Sequence, residues 1–436
     1  MREGAIWKGS KMGSENQASK ILDGLLFLKI FRSFGMAIQP SKLIIAFWLI
    51  LAIGLTGWVM DLSKTVVTTP GTSGRETELH LYMTAPERVK SYIEKYKGAG
   101  ERTGVFSTMW GSAVVKFHGA LRELFALNMP GILYNVAEFL RSVKWALRYH
   151  TFYCVIFGII NLCLVSIAGG AICRIAALQF ARGEKPGITE AIAFSVKRFA
   201  SFFTAPLVPA AIIILVGACI FFLGLIGNIP FGLGELIVGI SLPAALAGGA
   251  IIAVVVIGMI AGFNLMFPAV AYDGSDSLEA VSRSFNYVYV KPWHLGFYTV
   301  TAAVYGAICY GFVRLFAFLL LWSTYRVLRL GSWLDSARGL PDKVMAIWPE
   351  PSFSRLVAYS AAAGKWSESI AAFLVYLFTL AIVGLVVSFI ISFYFSANTA
   401  IYALMRNKVD TTALEEIYTE PEETPAQPSE VEEPPI

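Results

Sequence analysis

Charged residues are scarce in this sequence. Only 15% of the residues are Asp, Glu, Lys or Arg and 56% are apolar, whereas a soluble domain carries about 25% charged residues. The mean hydropathy of +0.64 agrees with this shortage. The composition therefore excludes an ordinary soluble protein and indicates a chain suited to a lipid bilayer.

Side chains that carry catalysis or bind metals are also few. The five cysteines lie in apolar stretches without CxxC spacing, and the four histidines stand singly, which is typical of packing and surface residues. Neither GxxxxGKS/T nor GxSxG occurs, so ATP or serine hydrolysis is not expected. We expect a protein that is not an enzyme, with no catalytic, cofactor-binding or metal-binding residues and no nucleic-acid partner.

Several apolar stretches approach or exceed the length that a bilayer requires. A hydrocarbon core of about 30 Å needs about 20 residues of helix. The sequence predicts an all-α polytopic membrane protein with about six transmembrane helices and additional amphipathic interfacial helices. The predicted spans are residues 43–60, 152–173, 202–226, 242–270, 295–322 and 370–397.

The distribution of Lys and Arg between the connecting segments predicts the orientation. The connection 174–201 carries five basic residues and 227–241 carries none, and basic residues in short loops stay cytoplasmic. The basic segment 1–42 agrees. We expect a multi-pass protein of the bacterial cytoplasmic (inner) membrane with both termini cytoplasmic.

Residues 152–226 and 242–322 each contain an apolar segment, a polar connection and a second apolar segment. Seven residues recur 89 positions later, which indicates a duplicated helix–elbow–helix unit; coincidence in a Gly- and Ala-rich chain is the alternative. Both copies start on the same side of the membrane, so the repeat is parallel. The recurring residues are Val165, Gly169, Glu190, Ala191, Ser195, Gly217 and Ala218, which return as Val254, Gly258, Glu279, Ala280, Ser284, Gly306 and Ala307.

The segments that flank these spans are polar or amphipathic. Residues 1–42 include an amphipathic helix at 21–31, which we expect on the inner membrane surface. Residues 61–151 and 323–369 are predicted to be external. The segment 409–436 holds nine acids, five prolines and no Lys or Arg, which predicts a disordered acidic tail after the last span, 370–408.

The external segment 61–151 contains two strongly amphipathic helices after stretches that have too few apolar residues for a core of their own. Two interpretations are open: a collar on the outer membrane surface, or packing on the outer ends of the spans. The apolar stripes are Phe106, Trp110, Val114, Phe117, Leu121, Leu124 and Phe125 in the first helix, and Ile132, Val136, Phe139, Leu140, Val143 and Leu147 in the second.

Arg314 is the one charged residue well inside a predicted span, and intramembrane charges are functional candidates. It precedes Trp322 by eight residues, about 12 Å along a helix, so its side chain can extend to the interface. We favour a structural anchor over a functional charge, with Glu235 or Asp61 as the acidic partner.

Other candidate contacts are small or uncharged. Asn161 and Asn264 lie within spans, where an amide requires a partner; helix contacts are favoured, and a polar cavity is the alternative. Gly258 and Gly262 form a GxxxG pair that predicts close helix packing. The row Ala303, Ala307 and Gly311 continues this spacing in the next span.

Glu190 and Glu279 belong to two short elbow helices that are predicted on the cytoplasmic face. Asp276 and Glu279 have capping-box spacing, so a helix is expected at 277–288, ahead of Pro292.

A resemblance to a known family rests on three stretches: 181–191 (ARGEKPGITEA), 267–284 (FPAVAYDGSDSLEAVSRS) and 398–406 (NTAIYALMR). The chain resembles poorly characterised bacterial six-span proteins related to the membrane domain attached to some glycerophosphoryl diester phosphodiesterases. The resemblance covers 150–410 and implies a helical membrane fold without an assigned reaction, since the phosphodiesterase barrel is a separate soluble domain.

Two functions remain open at this point. The favoured one is a non-enzymatic membrane scaffold, or a component that binds membrane lipids or other membrane proteins. The alternative is a permease whose elbow helices contact a separate cytoplasmic ATPase, which predicts a polar cavity between the spans.

Overall fold

The computed structural model describes residues 26–71, 74–96, 101–229, 233–331, 342–357 and 365–419. These residues are mainly helical, and six of their helices are long and apolar enough to cross a membrane, which confirms the predicted all-α polytopic fold. In chain order the helices are α1 (Arg32–Ala37), α2 (Pro40–Asp61), α3 (Glu78–Thr84), α4 (Val89–Lys95), α5 (Val105–Phe125), α6 (Met129–Tyr149), α7 (Thr151–Arg182), α8 (Ile188–Lys197), α9 (Phe199–Thr204), α10 (Val208–Ile226), α11 (Leu233–Asp273), α12 (Ser277–Val290), α13 (Pro292–Gly331), α14 (Lys343–Ile347) and α15 (Trp366–Asp410), with 3₁₀ helices at Leu26–Phe31 and Pro86–Arg88.

The candidate spans are α2, α7, α10, α11, α13 and α15. Most of them continue past the predicted apolar stretches; α11, for example, ends at Asp273 and α15 at Asp410. The third span is the exception, because α10 begins at Val208 instead of 202. Pro209 lies in its first turn, and a proline keeps the preceding residue from continuing an earlier helix.

Two helix–elbow–helix units follow one another: α7, α8 and α10, then α11, α12 and α13. In both units the first helix is followed by a glycine with positive φ, +75° at Gly183 and +63° at Gly274, a conformation that favours glycine at helix ends. We call the side of the bundle that carries α8 and α12 the elbow end. That the two units arose by duplication stays a prediction. The recurring residues that are buried in the elbow helices are Ala191 and Ser195 in α8, and Ala280 and Ser284 in α12.

The second elbow helix, α12, begins where its sequence signal placed it. The side chain of Asp276 accepts a hydrogen bond from Glu279 N at 2.8 Å, which satisfies one of the free N–H groups at a helix start. The helix runs to Val290, two residues beyond the predicted end.

The segment Leu26–Ala37 packs against α13 and α15 through one face, with Leu28 and Phe31 exposed on the other, whereas the sequence predicted a helix on the membrane surface. Phe27 contacts Phe297 with ring centroids 5.6 Å apart, and Phe34 contacts Phe312 at 6.4 Å. The contacted residues are fifteen positions apart on α13, so the segment follows this helix for about 22 Å. Its apolar face therefore meets protein. The part of the predicted helix before Leu26 lies outside the described residues.

A small folded unit lies at the end of the bundle opposite the elbows. Strands β1 (Val66–Gly71), β2 (Gly74–Thr77) and β3 (Glu101–Thr103) form an antiparallel sheet with the order β2-β1-β3. The stretches 68–75 and 85–97, expected to lack a core of their own, contribute only Val89 to the buried apolar residues of this unit, and α6 contributes a fully buried tryptophan. The core consists of Val66, Leu79, Tyr82, Val89, Val105, Trp145 and Ala146.

The predicted external segment 323–369 begins as a continuation of α13. Trp348 is buried, and its ring packs edge-on against Tyr325 of that helix at 5.6 Å. Trp366 is 80% exposed at the start of α15, as expected for a residue at the water interface.

The chain stays on the bundle after α15 ends. Residues 411–419, called the strap below, begin at Thr411 with φ of +57° and cross the elbow end. Leu414 and Ile417 are buried in the main core, which α7, α11 and α15 share. The structure therefore contradicts the predicted disordered tail, 409–436, for the strap; residues 420–436 lie outside the described part of the chain.

Candidate functional site

A cavity of about 460 Å³ lies between α11, α13 and α15, and residues of α5 and α6 complete its wall. Ligand pockets have volumes of about 300–1,000 Å³. Along α13 the wall extends from Thr299 to Tyr310, about 17 Å at 1.5 Å per residue. Most of the lining is apolar, so the cavity has the shape and surface of a site for a hydrocarbon chain.

Small residues on one face of α13 create this space. Ala303, Gly306 and Ala307 line the cavity, although the spacing of Ala303, Ala307 and Gly311 predicted that another helix packs closely there. At Gly306 an added Cβ would lie 2.5 Å from the ring of Phe393, whereas at Gly311 it would have no neighbour within 4 Å.

The lining is mainly apolar, and its polar side chains are two amides and the hydroxyls of Thr299, Tyr310 and Tyr394. Tyr394 OH donates to Asn264 Oδ1 at 2.5 Å, and Asn398 Nδ2 donates to the backbone oxygen of Tyr394 at 2.9 Å. Both amides line the cavity. Two groups therefore have no hydrogen-bond partner in the described part of the chain: the N–H groups of the Asn264 amide and the oxygen of the Asn398 amide. Asn264 thus makes the contact between helices that was favoured from the sequence, and it also lines the cavity of the alternative interpretation.

Arg314 lies one turn beyond Tyr310, at the far end of the cavity from Thr299. Its Nε and Nη2 donate to Phe353 O at 3.2 and 2.9 Å, and its Nη1 donates to Tyr310 OH at 2.8 Å and contacts His118 Nε2. Neutral acceptors therefore engage all three nitrogens. This side chain ties the segment around Phe353 to α13 and α5, as a structural anchor does.

The two acids expected to pair with Arg314 lie elsewhere. Glu235 is exposed at the start of α11. Asp61 ends α2 and accepts hydrogen bonds from Phe106 N at 2.9 Å, Ser107 N at 2.8 Å and Tyr153 OH at 3.0 Å. It therefore caps α5, where a negative side chain is favourable, and fixes the start of the α5–α6 hairpin.

The two helices of this hairpin present different surfaces. Leu121 and Leu124 of α5 line the cavity, whereas Trp110 and Phe125 of the same apolar stripe are exposed. α6 faces α5 through polar contacts, such as Glu138 Oε2 with Lys116 Nζ at 3.4 Å. Ile132 at its start also lines the cavity, but most of its apolar stripe is exposed, with Leu140 at 59%. The hairpin thus closes the cavity on one side and offers an apolar face to its surroundings.

Asp273, the last residue of α11, joins three helices at the elbow end. Arg283 Nη1 of α12 lies 3.1 Å from its Oδ2, and Arg406 Nε of α15 lies 3.0 Å from its Oδ1. The second contact is an ion pair whose angle falls outside hydrogen-bond geometry. Tyr402 also donates to Oδ2. Because the carboxylate is nearly fully buried and meets two arginines, this cluster is a structural joint.

Glu279 belongs to the same joint, where it accepts from Arg283 Nε at 2.9 Å and Nη2 at 2.7 Å. Burial acts to lower the pKa of Arg283, but the hydrogen bonds to Glu279 and the charge of Asp273 outweigh it and raise that pKa. Burial and the hydrogen bond to Asp410 raise the pKa of Tyr287. At neutral pH Arg283 is thus charged and Tyr287 is a neutral donor.

Arginines also hold the strap on the elbow end. Arg174 Nη2 donates to Tyr418 O at 2.9 Å, and Arg406 Nη1 donates to Glu416 O at 2.7 Å. The guanidinium of Arg198 lies 5.0 Å from the centre of the Tyr418 ring, within cation–π range. The strap is therefore bound through its backbone and one aromatic ring.

Lys42 is fully buried near the start of α2. Its Nζ donates to Gln179 Oε1 at 2.8 Å and lies 3.5 Å from Ser396 Oγ. No carboxylate of the described residues forms an ion pair with it. A buried ammonium with only neutral partners is costly, and nothing in its contacts connects it to the cavity.

The remaining predicted contacts are not part of the cavity. Asn161 donates to a backbone oxygen of its own helix at 2.7 Å, and Glu190 is exposed at the start of α8. Gly258 and Gly262 are buried, but they pack against the elbow helix α12 instead of another span. An added Cβ at Gly258 would lie 2.9 Å from the ring of Phe285.

Three residues that carry these features were not singled out in the sequence. Tyr394 and Asn398 are four positions apart and therefore share one helix face; polar side chains at this spacing inside an apolar span were the available signal. Lys42 was assigned to the N-terminal segment, although it follows Pro40 by two residues and belongs to the first span.

No three His, Cys, Asp or Glu side chains of the described residues are placed to hold a metal ion. The cavity and its two amides are therefore the feature from which a function is inferred. Comparisons with protein-family models, curated proteins and solved structures find no match to this chain.

Proposed function

We propose that this chain is a non-enzymatic, multi-pass protein that binds the apolar chain of a membrane lipid in the cavity between α11, α13 and α15. The carrying observation is the cavity itself: about 460 Å³ with a mainly apolar lining inside a bundle of candidate spans. Filling an apolar space with hydrocarbon restores the dispersion contacts that an empty cavity forgoes.

The lining favours lipid binding over the permease alternative. A permease for polar solutes requires polar or charged groups along its path. No charged side chain lines this cavity. At the elbow end, Arg283 and Arg406 are instead engaged in the joint around Asp273, and Arg174 holds the strap.

The exposed face of the α5–α6 hairpin supports the same proposal. Val136, Leu140 and Leu147 of its second apolar stripe are exposed, and an exposed apolar helix face beside a bundle of spans is well suited to lipid. The hairpin also closes the cavity. The hairpin thus has lipid on one side and the hydrocarbon-lined cavity on the other. A lipid chain can pass beside it from the bilayer into the cavity.

The orientation and cellular location belong to this proposal. The elbow end carries the basic connection 174–201, and the opposite connection, 227–241, has no Lys or Arg, which supports a cytoplasmic elbow end. We place the protein in the bacterial cytoplasmic membrane with both termini cytoplasmic. Kinship with the six-span proteins related to phosphodiesterase membrane domains remains part of the proposal, and it implies no reaction.

The test is to fill the cavity. Ala303 lines it, and Ala303→Phe places a ring in the space that a chain would occupy. Ala250→Phe is the matched control, because Ala250 is exposed on α11 and lies outside the cavity. Both variants are purified from lipid discs, and retained lipid is counted by mass spectrometry of the intact complex.

We expect Ala303→Phe to reduce retained lipid about tenfold, a change of about 1.4 kcal/mol in binding free energy, and Ala250→Phe to leave it unchanged. Equal retention by both variants refutes the proposal. Stoichiometric co-purification of an ATPase would support the permease instead.

A further inference from the structure

The polar side chains of the cavity are uncharged, and two of them are amides that offer different groups. The Asn264 amide accepts from Tyr394 OH and so offers N–H donors, and the Asn398 amide donates to Tyr394 O and so offers a carbonyl acceptor. Both are fixed by the same residue, and both line the cavity. One donor and one acceptor therefore line the same mainly apolar space.

A hydroxyl group matches this pair, because it can accept one hydrogen bond and donate another. A carboxylate or a phosphodiester cannot donate, and its charge would be buried in a lining without any cation. A plain hydrocarbon would leave the remaining N–H groups of Asn264 and the side-chain oxygen of Asn398 without partners, which is also unfavourable.

We propose that the cavity selects a neutral lipid alcohol, a long hydrocarbon chain that ends in or carries one free hydroxyl. The hydroxyl accepts from the Asn264 amide and donates to Asn398 Oδ1, and the chain follows α13 toward Tyr310. This inference rests on the proposed function, since it names the class of lipid that the cavity binds.

The test compares three probes with the same chain: hexadecanol, its methyl ether, and hexadecanoate. The methyl ether accepts a hydrogen bond but cannot donate one, and hexadecanoate carries a charge. Each is titrated into the unmodified protein in lipid discs, and the bound fraction is measured by mass spectrometry of the intact complex. We expect hexadecanol to bind about tenfold more tightly than either of the other probes, as an unpartnered buried polar group costs about that factor.

Asn398→Leu removes the acceptor and should reduce the preference for hexadecanol over its methyl ether to about one. Asn161→Leu is the matched control, since Asn161 lies in a span but not in the cavity, and it should keep the preference. Tyr394→Phe frees the Asn264 amide and gives a second variant if Asn398→Leu does not fold.

The outcomes separate the two proposals. Equal binding of all three probes to the unmodified protein, with binding abolished by Ala303→Phe, refutes the alcohol and leaves the lipid site standing. Probe binding that is unaffected by Ala303→Phe refutes the lipid site itself.

Discussion

The contact between Gly274 and the strap predicts a specific destabilisation. Gly274 has φ of +63°, its carbonyl accepts from Arg198 Nη1 at 2.6 Å, and an added Cβ would lie 2.5 Å from Cγ of Tyr418. Gly183 follows the first helix of the other unit with φ of +75° and has nothing within 4 Å of that position. The two glycines thus share a conformation and differ in their surroundings.

The magnitudes follow from this difference. A non-glycine residue in the left-handed region costs about 1–2 kcal/mol, so Gly183→Ala should lower the free energy of unfolding by about that amount. Gly274→Ala carries the same backbone cost and also forces the Tyr418 ring to move, which adds about 1–3 kcal/mol. Titration with a denaturing detergent in mixed micelles measures both values.

A double-mutant cycle isolates the steric part. In a Tyr418→Ala background the ring is absent, and Gly274→Ala should then cost no more than Gly183→Ala does. Coupling between the two positions below about 0.5 kcal/mol, the usual limit for independent sites, would show that the strap does not pack on Gly274 as described.

Three further changes test other contacts by the same unfolding measurement or by hydrogen exchange. Asp273→Ala leaves Arg406 buried without its carboxylate and should destabilise the protein by about 3–5 kcal/mol. Asp61→Ala removes the cap of α5 and should cost about 1–2 kcal/mol, with faster amide exchange at residues 105–108. Lys42→Met replaces a buried cation that has neutral partners and should stabilise the protein by about 1 kcal/mol or more.

Each of these expectations has an opposing result. A loss below about 1 kcal/mol for Asp273→Ala would mean that the joint is solvated. Unchanged exchange at 105–108 in Asp61→Ala would show that the cap does not hold the hairpin. A destabilising Lys42→Met would indicate that the ammonium has a role that its neutral partners do not reveal.

The spans were predictable because a run of about 20 consecutive apolar residues matches the length of helix that crosses a bilayer. The start of α12 was predictable for a different reason, since the Asp276 and Glu279 spacing encodes a local hydrogen bond. Both signals are contained within a short stretch of chain. Features of this kind do not depend on distant residues.

The contacts of amphipathic faces were not predictable in the same way. Phe27 and Phe34 marked an apolar face, but periodicity does not say whether lipid or protein covers it; here α13 does. Likewise, Ala303 and Ala307 have a spacing that fits either a close helix contact or an open space. Which of the two forms depends on the positions of α5, α11 and α15. The spacing of residues along α13 does not encode those positions.

The position of the strap was also not predictable from the sequence. Its composition is typical of an acidic tail, yet Leu414 and Ile417 are buried in the core. Arginines from α7 and α15 bind the backbone around these two residues and hold them there. Backbone acceptors exist in every sequence, so composition carried no signal of this docking.

The position of residues 26–37 between α13 and α15 sets an order of assembly. This segment is synthesised early, but its partners, among them Phe297 and Phe389, are made more than 250 residues later. It can take its place only after the later spans have been inserted, although folding during synthesis generally proceeds from the N-terminal side. A ribosome-bound chain that stops before α15 should therefore leave the segment open to proteolysis, and its protection would report completion of the bundle.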